Sequence, residues 1–290
     1  MNRPLLKPKN DLVFKLIFGK QENSDILISF LQSILDIKDE DYVGLTVIDP
    51  QSKIDKKDDK TTILDIKLET KQGFINIELQ INPYASMEDR IVYGISKTVT
   101  NQLTKGSEYS LKKVISIVIT NYILIKEHDI YHDIFRYHSE KTNHTFSNST
   151  EIHTLELPKL PEEENTMLWN WLQFVKSEKL EEFEMVAQKS PQINKAVAIL
   201  KELSEDEATR MLAHDREMAE WDRVAGLRNA RQEGRQEGRR EGRQEGRQEG
   251  RQEGKIETAL ELFKMGLNVD VIANATKMSV DEIEQILDKK

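Results

Sequence analysis

The chain of 290 residues contains no cysteine, which excludes disulfide bonds and thiolate metal sites. It also lacks any apolar run of about 18 residues, and this excludes an ordinary transmembrane helix. Residues 1–10 have no apolar stretch of the kind found in signal peptides. We therefore expect a cytoplasmic protein with no membrane partner.

An excess of basic residues is also missing. The 42 Lys and Arg residues are outnumbered by 51 Asp and Glu residues, so the formal charge is -9. This balance counts against a protein that coats nucleic acid non-specifically. It leaves room for a local basic strip, and an ordinary solvated terminus is the alternative. The candidates for the strip are Arg3, Lys7, Lys9, Lys15 and Lys20.

The first part of the chain alternates helix and strand patterns. Asn10 is a predicted N-cap for the first helix, which Gly19 ends. Helices are predicted at 11–18, 25–35 and 85–104, and strands at 45–49, 61–70, 74–81, 114–121, 131–137 and 145–157. This order predicts an α/β layered domain.

After Pro158 and Pro161 the pattern becomes helical, and residues 231–254 are six tetrapeptides, five RQEG and one RREG. We therefore predict four regions: a core at 1–157, a helical region at 158–230, a repeat linker or helix at 231–254, and a small helical module at 255–290. The residues predicted to form the core of that module are Leu260, Leu262, Phe263, Ile272, Ile283 and Ile286.

The repeat period of four is close to the helical period, so successive glycines drift by about 40° around a helix. Two such helices could approach along this stripe, and on that basis we expect a homo-oligomer, most simply a dimer. A charged flexible linker is the alternative, because each interior glycine destabilises a helix by about 1 kcal/mol relative to alanine. Deleting residues 231–254 and measuring the mass in solution distinguishes helix pairing from a flexible linker. An unchanged oligomeric state would contradict the pairing.

Two predicted strands form a hairpin around Lys71-Gln72-Gly73. With Gln72 and Gly73 as the turn, Asp65 faces Gln80 and Lys67 faces Glu78. Strand alternation then places Asp65, Glu78 and Gln80 on one face. The opposite face is apolar and sets the register by burial; its residues are Leu64, Ile66, Leu68, Ile77, Leu79 and Ile81.

Two carboxylates on one sheet face are a plausible Mg²⁺ site, with Mn²⁺ as the alternative cation. Such an ion lowers the pKa of bound water and stabilises charge on a phosphodiester. We expect Asp65 and Glu78 to hold the metal and Gln80 to position the attacking water. Lys67 would either replace a missing catalytic lysine or form a cross-strand ion pair with Glu78. The alternative is a hairpin whose polar face is only solvated.

The segment LDIKLETKQGFINIELQ resembles the D…E-x-Q core of the Rpn family, also called PD-(D/E)XK nuclease family transposases. The resemblance extends to other blocks in the same order and covers nearly the whole chain. These blocks are NDLVFKLIFG, DRIVYGISKTVTNQLTKGSEYSLKKVISIVITN, LELPKL, MLWNWLQFVK, the EG repeats and ANATKMSVDEIEQIL.

The resemblance implies an α/β restriction-endonuclease-like fold with a helical C-terminal extension. It also implies Mg²⁺-dependent DNA cleavage linked to recombination. By motif position, Asp65 and Glu78 correspond to the two metal-binding carboxylates, and Gln80 stands where most of the superfamily has lysine. Asp11 matches an additional acidic position, although a carboxylate favoured by the helix dipole explains it equally well.

Other residues have weaker assignments. Arg90 and Tyr93 lie one turn apart on a predicted helix and would contact phosphate or the site, with helix packing as the competing interpretation. The six histidines show no tight pairing with carboxylates on one element, which favours alternating strand exposure over a zinc site.

The preferred function is therefore a DNA endonuclease of low sequence specificity. The alternatives are a catalytically weak DNA-binding recombination factor and a non-enzymatic interaction protein that acts through its helical tail.

Overall fold

A computed structural model describes residues 4–35, 37, 42, 45–48, 66–84, 86–104, 106 and 108–288. The described helices are α1 (Asp11–Phe18), α2 (Ser24–Ile34), α3 (Met87–Thr100), α4 (Met167–Lys176), α5 (Leu180–Ala187), α6 (Pro191–Glu205), α7 (Glu207–Lys264), α8 (Val269–Thr276) and α9 (Val280–Asp288). The strands are β1 (Thr46–Ile48), β2 (Ile66–Glu69), β3 (Gly73–Gln80), β4 (Lys113–Thr120), β5 (His132–His138) and β6 (Thr145–Glu156). By its contacts, the chain divides into residues 1–220 and 221–290.

The six strands form one mixed sheet in the order β1-β2-β3-β4-β6-β5. Strand β3 runs parallel to β4, and β4 runs parallel to β6. The outer pairs, β1–β2, β2–β3 and β5–β6, are antiparallel. The predicted α/β architecture is therefore confirmed, and β3 and β4 are its central parallel pair.

Helices cover both faces of this sheet, because apolar residues alternate along the strands. One face packs against α1, α2, α4, α5 and α6 in the main core, which includes Ile77, Ile117, Phe30 and Trp171. The other face carries α3, whose Ile91 and Ile95 pack with Val114 and Val118. The main core therefore contains helices from the predicted core region at 1–157 and from the predicted helical region at 158–230.

The first helix is capped as predicted. The Asn10 side-chain oxygen accepts hydrogen bonds from the Leu12 and Val13 amides at 3.1 and 3.4 Å. Its side-chain nitrogen donates to the Ala213 carbonyl of α7 at 3.0 Å. This single buried side chain therefore starts α1 and fixes it to the beginning of α7.

The β2–β3 hairpin turns one residue earlier than predicted. Lys71 and Gln72 form the turn, and the Thr70 amide donates to the Gly73 carbonyl at 2.8 Å. Gly73 is required by the neighbouring strand, because a Cβ there would lie 1.9 Å from the Lys113 carbonyl oxygen. Moving the turn by one residue shifts the pairing of the two strands by two residues. Each side chain therefore stays on its predicted face of the sheet.

The second unit begins at Trp221 and contains the remainder of α7, α8 and α9. The repeat at 231–254 is helical throughout, and a Cβ on any of its six glycines would have nothing within 4 Å. A small core forms around Ala259, Ile272 and Ile283. Phe263 is 46% exposed, which contradicts its predicted place in that core. Self-association through the repeat stays a prediction.

Across the described residues, no helix combines the length and apolar character needed to cross a membrane.

Candidate active site

Strand β3 carries two of the predicted site residues. Glu78 and Gln80 point to the face opposite the buried Ile77 and Leu79, because side chains alternate along a strand. Glu78 is only 4% exposed, whereas Gln80 is partly exposed. The Asn121 amide, just after β4, donates to the Gln80 carbonyl at 3.0 Å. The two side chains therefore lie at the carboxyl ends of parallel strands, where open α/β sheets commonly bind ligands.

Helix α3 brings a cation to the buried carboxylate. Arg90 Nη2 lies 2.8 Å from Glu78 Oε1, and the Arg90 side chain is one quarter exposed. The guanidinium also lies over the Tyr84 ring, 4.9 Å from its centroid. Burying a carboxylate is unfavourable unless an opposite charge accompanies it. Arg90 therefore contacts Glu78, and its predicted role at a phosphate or at the active site stays a prediction.

Tyr122 is a site residue that the sequence did not reveal. It follows β4 directly, and its hydroxyl is buried beside Glu78 and the backbone of Tyr84. Burial, reinforced by the Glu78 charge, raises the pKa of Tyr122 to about 12. The phenol is therefore protonated at neutral pH and can donate a hydrogen bond. The available sequence signal was its position at the end of a buried parallel strand, next to the strand that carries Glu78.

The segment after Tyr122 is held by a buried ion pair from the LELPKL block. Glu156 Oε2 accepts from the Leu124 amide at 2.7 Å, and Lys159 Nζ donates to the Ile125 carbonyl at 2.6 Å. Lys159 Nζ also lies 2.9 Å from Glu156 Oε1, and the side chains are 3% and 0% exposed. This pair fixes the backbone that positions Tyr122.

The structure corrects the predicted partner of Lys67. In the β2–β3 register Lys67 faces Asn76, not Glu78, because the turn lies at Lys71 and Gln72. Lys67 Nζ sits 5.5 Å from the centroid of the Phe74 ring, as a cation–π contact. The cross-strand Lys67–Glu78 ion pair is therefore wrong.

Asp11 lies at the start of α1 and forms an ion pair with Arg216 of α7. One turn further along α7, Glu220 accepts a hydrogen bond from Asn82, which follows β3, at 3.0 Å. The first part of α7 therefore contacts the beginning of α1 through Arg216 and the segment after β3 through Glu220. The structure brings Asp11 to Arg216 and not into contact with Glu78 or Gln80.

Two further predicted residues complete the account. Tyr93 lies one turn after Arg90 on α3 and is 43% exposed, and its predicted contact with phosphate or the site stays a prediction. Asp65, the predicted first metal-binding carboxylate, lies outside the described residues.

The donor atoms on β3 suit a hard divalent cation. Glu78 offers carboxylate oxygens and Gln80 an amide oxygen on one sheet face, and Mg²⁺ prefers oxygen ligands. In the described parts of the chain, no three His, Cys, Asp or Glu side chains come together as a metal-binding group. The described residues thus supply one carboxylate of the predicted pair.

The structure corrects the interpretation of the histidines. On β6, His153 Nε2 lies 2.6 Å from Glu151 Oε1, and His153 Nδ1 lies 2.9 Å from His132 Nε2 on β5. Burial, with a smaller contribution from His153, lowers the pKa of His132 to about 4. Burial opposes ionisation of Glu151, but hydrogen bonds from Arg136, Lys113 and His153 lower its pKa to about 2. These histidines belong to a buried carboxylate network.

Comparison with known proteins identifies one family. A family model described as PD-(D/E)XK nuclease family transposase matches residues 8–230, which include Asp11, Glu78, Gln80 and Tyr122 and stop just before the RQEG repeat. No curated protein and no solved structure matches the chain significantly.

Proposed function

Because the chain belongs to the PD-(D/E)XK nuclease family transposases, we propose that it is a metal-dependent endonuclease that cuts DNA with low sequence specificity. The observation that carries this proposal is the buried Glu78 beside Arg90, with Gln80 on the same face at the end of β3. A role in recombination follows from the family and belongs to the same proposal.

In this mechanism Asp65 and Glu78 would hold Mg²⁺, or Mn²⁺ in its place. The bound ion would supply positive charge to the phosphodiester and make an attacking water more acidic. Gln80 orients that water through its amide oxygen, but a neutral amide cannot act as a general base. Tyr122, protonated at neutral pH, donates a hydrogen bond to a phosphate oxygen.

Arg90 acts on Glu78 in this proposal and not on the reacting atoms. Its 2.8 Å contact and its stacking on Tyr84 keep the carboxylate oriented toward the end of β3. The guanidinium also offsets the charge of the carboxylate before a cation binds. Arg90 is therefore a positioning residue.

Plasmid nicking tests the proposal. Supercoiled plasmid is incubated with the full chain in Mg²⁺, in Mn²⁺ and in chelator, alongside Glu78→Gln and Asp65→Asn. The control is Glu69→Gln, because Glu69 pairs with Lys112 at 3.3 Å on an exposed part of the sheet. We expect cation-dependent nicking by the wild type and the control, and its loss in the two site variants. Equal nicking by all four proteins rejects the catalytic role.

The role of Asp11 is tested in the same assay. If Asp11 assists the chemistry, Asp11→Asn slows nicking while Arg216→Gln, which breaks the same ion pair from the other side, does not. If Asp11 serves only as a carboxylate at the start of α1, both variants nick normally, and Asp11→Asn lowers thermal stability slightly.

One observation favours a second candidate, a DNA-binding recombination factor with little cleavage activity. Arg90 already pairs with Glu78, and Gln80 provides no positive charge where a lysine would assist catalysis. This candidate predicts a gel shift of DNA with no nicking in either cation. Nicking that disappears in Glu78→Gln contradicts it.

A further inference from the structure

A cavity of about 560 Å³ opens beside the candidate active site. It is bounded by α3, by residues 124–127 and by the α3-covered face of β5 and β6, and we refer to it as the α3–β6 cavity. Its walls are mainly apolar and include Ile91, Leu124 and Ile152. The volume falls within the range of about 300–1,000 Å³ that is usual for small-molecule sites.

A buried hydroxyl lies in the wall of this cavity. Thr154 is 3% exposed, and its Oγ1 makes no hydrogen bond within the described structure. Buried polar atoms are nearly always hydrogen-bonded, because leaving one without a partner is unfavourable. The Thr154 hydroxyl is therefore a point in the cavity wall at which an entering polar group would gain a hydrogen bond.

An aromatic ring lies in the same wall. Phe135 of β5 lines the cavity and remains 42% exposed. It pairs directly with Ile152 of β6, so its ring stands next to an apolar surface on the same sheet face. An exposed ring on a rigid strand offers a flat surface on which another ring can stack.

The cavity lies close to the candidate active site, since Thr154 in its wall is two strands away from Glu78 at the same level of the sheet. Glu88 lines the cavity, and its charge also acts on the Tyr122 phenol beside Glu78. Arg90 and Ile91 are neighbours on α3, one contacting Glu78 and the other lining the cavity. A group in the cavity would therefore be attached to a phosphate at Glu78 by a short linkage.

We infer that the α3–β6 cavity binds one unpaired nucleobase of a nucleic-acid strand whose phosphate lies at Glu78. The base stacks on Phe135, and the Thr154 hydroxyl pairs with a polar atom on the base edge. The charged residues that line the cavity are Glu88, Lys126 and Glu127, so its net charge is negative and disfavours a phosphate there, and the two carboxylates can accept hydrogen bonds from an exocyclic amine. Adenine, cytosine and guanine carry such an amine, and thymine does not.

This inference rests on the proposed function and names its substrate class. A base inside a duplex cannot reach the cavity without leaving the stack, which requires a few kcal/mol unless the nucleotide is already unpaired. The protein therefore acts preferentially on single-stranded, mismatched or nicked DNA.

A fluorescent base analogue tests the inference directly. The probe is a single-stranded oligonucleotide with one central 2-aminopurine, titrated with the full chain in Ca²⁺ to prevent cutting. We expect saturable quenching as the analogue stacks. A fully paired duplex with the same analogue gives much weaker quenching, and equal quenching of both overturns the inference.

Paired variants locate the binding site. Phe135→Ala should weaken binding about tenfold, and Thr154→Val about fivefold. The matched controls are Phe146→Ala, an 87% exposed aromatic on β6, and Thr150→Val, on the same face of β6 but outside the cavity. Thr154→Val should not lower the melting temperature, since it removes an unpaired buried hydroxyl. Unchanged binding in Phe135→Ala and Thr154→Val overturns the proposal.

Nicking assays in Mg²⁺, run on the same preparations, keep the two proposals separate. Quenching without nicking supports the base site and rejects the nuclease function. Nicking without quenching rejects the base site and supports the nuclease function. Glu78→Gln should lose nicking but keep quenching by the oligonucleotide, because Glu78 does not line the cavity.

Discussion

Two buried carboxylates on one sheet have very different surroundings. Glu151 on β6 accepts hydrogen bonds from Arg136 Nε at 2.6 Å, from Lys113 Nζ at 2.9 Å and from His153 Nε2 at 2.6 Å. Glu78 on β3 is buried to the same extent and contacts the Arg90 guanidinium, beside the Tyr122 phenol and next to an open cavity.

Under the proposed function, this difference separates a carboxylate that stabilises the fold from one that takes part in the chemistry. Hydrogen bonds from three side chains neutralise and fix Glu151, so its oxygens have little left to offer a ligand. Glu78 lies at the carboxyl end of a strand, where the substrate of an α/β enzyme binds. The exposed fraction of the side chains does not distinguish the two residues.

The strongest test of this contrast compares the two amide substitutions. Glu78→Gln should reduce nicking by more than the roughly 100-fold loss seen for outer-shell partners of metals, and it should also lower stability, because the largely buried Arg90 loses the carboxylate that it contacts. Glu151→Gln should leave nicking unchanged and lower the free energy of unfolding by roughly 1–2 kcal/mol, because the carboxylate loses its charged hydrogen bonds while Lys113 and Arg136, 36% and 48% exposed, can be solvated. Urea unfolding and nicking are measured on both variants. The contrast fails if Glu151→Gln remains as stable as the wild type, or if Glu151→Gln loses nicking as Glu78→Gln does.

Much of the fold could be predicted from the sequence. Period-two and period-3.6 patterns gave the described strands and helices, because burial of one face dictates where apolar residues occur. The hairpin turn could not be fixed this way. A shift of two residues preserves both faces, so the apolar pattern cannot distinguish the two registers. The decisive interaction was the close approach of β4 to Gly73, which is not local in sequence.

The site was less predictable for the same reason. Glu78 and Gln80 follow from alternation along one strand, but the Arg90–Glu78 contact and the position of Tyr122 depend on how α3 and β4 pack. The histidines show the limit most clearly, since His132 and His153 are brought together by the pairing of β5 with β6. No local spacing encodes that contact.

The second prediction uses pH to probe the Glu151 network by itself. Burial lowers the pKa of His132 from 6.5 to about 4, so between these values only the unfolded chain binds the proton. Stability should therefore fall as the pH drops from 6.5 to 4. Below pH 4.5 it should fall further, as the unfolded chain takes up a proton at Glu151, whose folded pKa is about 2.

His132→Gln provides the control for this pH effect. Glutamine keeps an N–H donor for His153 Nδ1 but does not titrate, so the decline between pH 6.5 and 4 should become shallower. Urea midpoints measured at intervals from pH 7 to pH 4 for both proteins check this. If the urea midpoints of the two proteins change with pH in parallel, His132 does not contribute to the pH dependence of stability.

The third prediction compares two tyrosines whose pKa is raised to about 12. Tyr122 lies beside Glu78, whereas the Tyr131 hydroxyl donates to Glu164 at 2.7 Å, outside the candidate site. Tyr122→Phe should slow nicking about tenfold, the contribution of one hydrogen bond to a charged group. Tyr131→Phe should leave nicking unchanged and lower stability by about 1 kcal/mol. Equal nicking rates in the two variants would remove Tyr122 from the mechanism.

The smallest expected effect tests whether the partners of Glu151 are redundant. Lys113 is about one third exposed and is one of several donors to that carboxylate, so Lys113→Met should lower the free energy of unfolding by under about 1 kcal/mol. The neighbouring Lys112→Met is the control, since its exposed pair with Glu69 should contribute almost nothing. A loss of about 3 kcal/mol in Lys113→Met would show that Glu151 depends on a single cation. In that case the contrast with Glu78 would rest on the location of the two carboxylates alone.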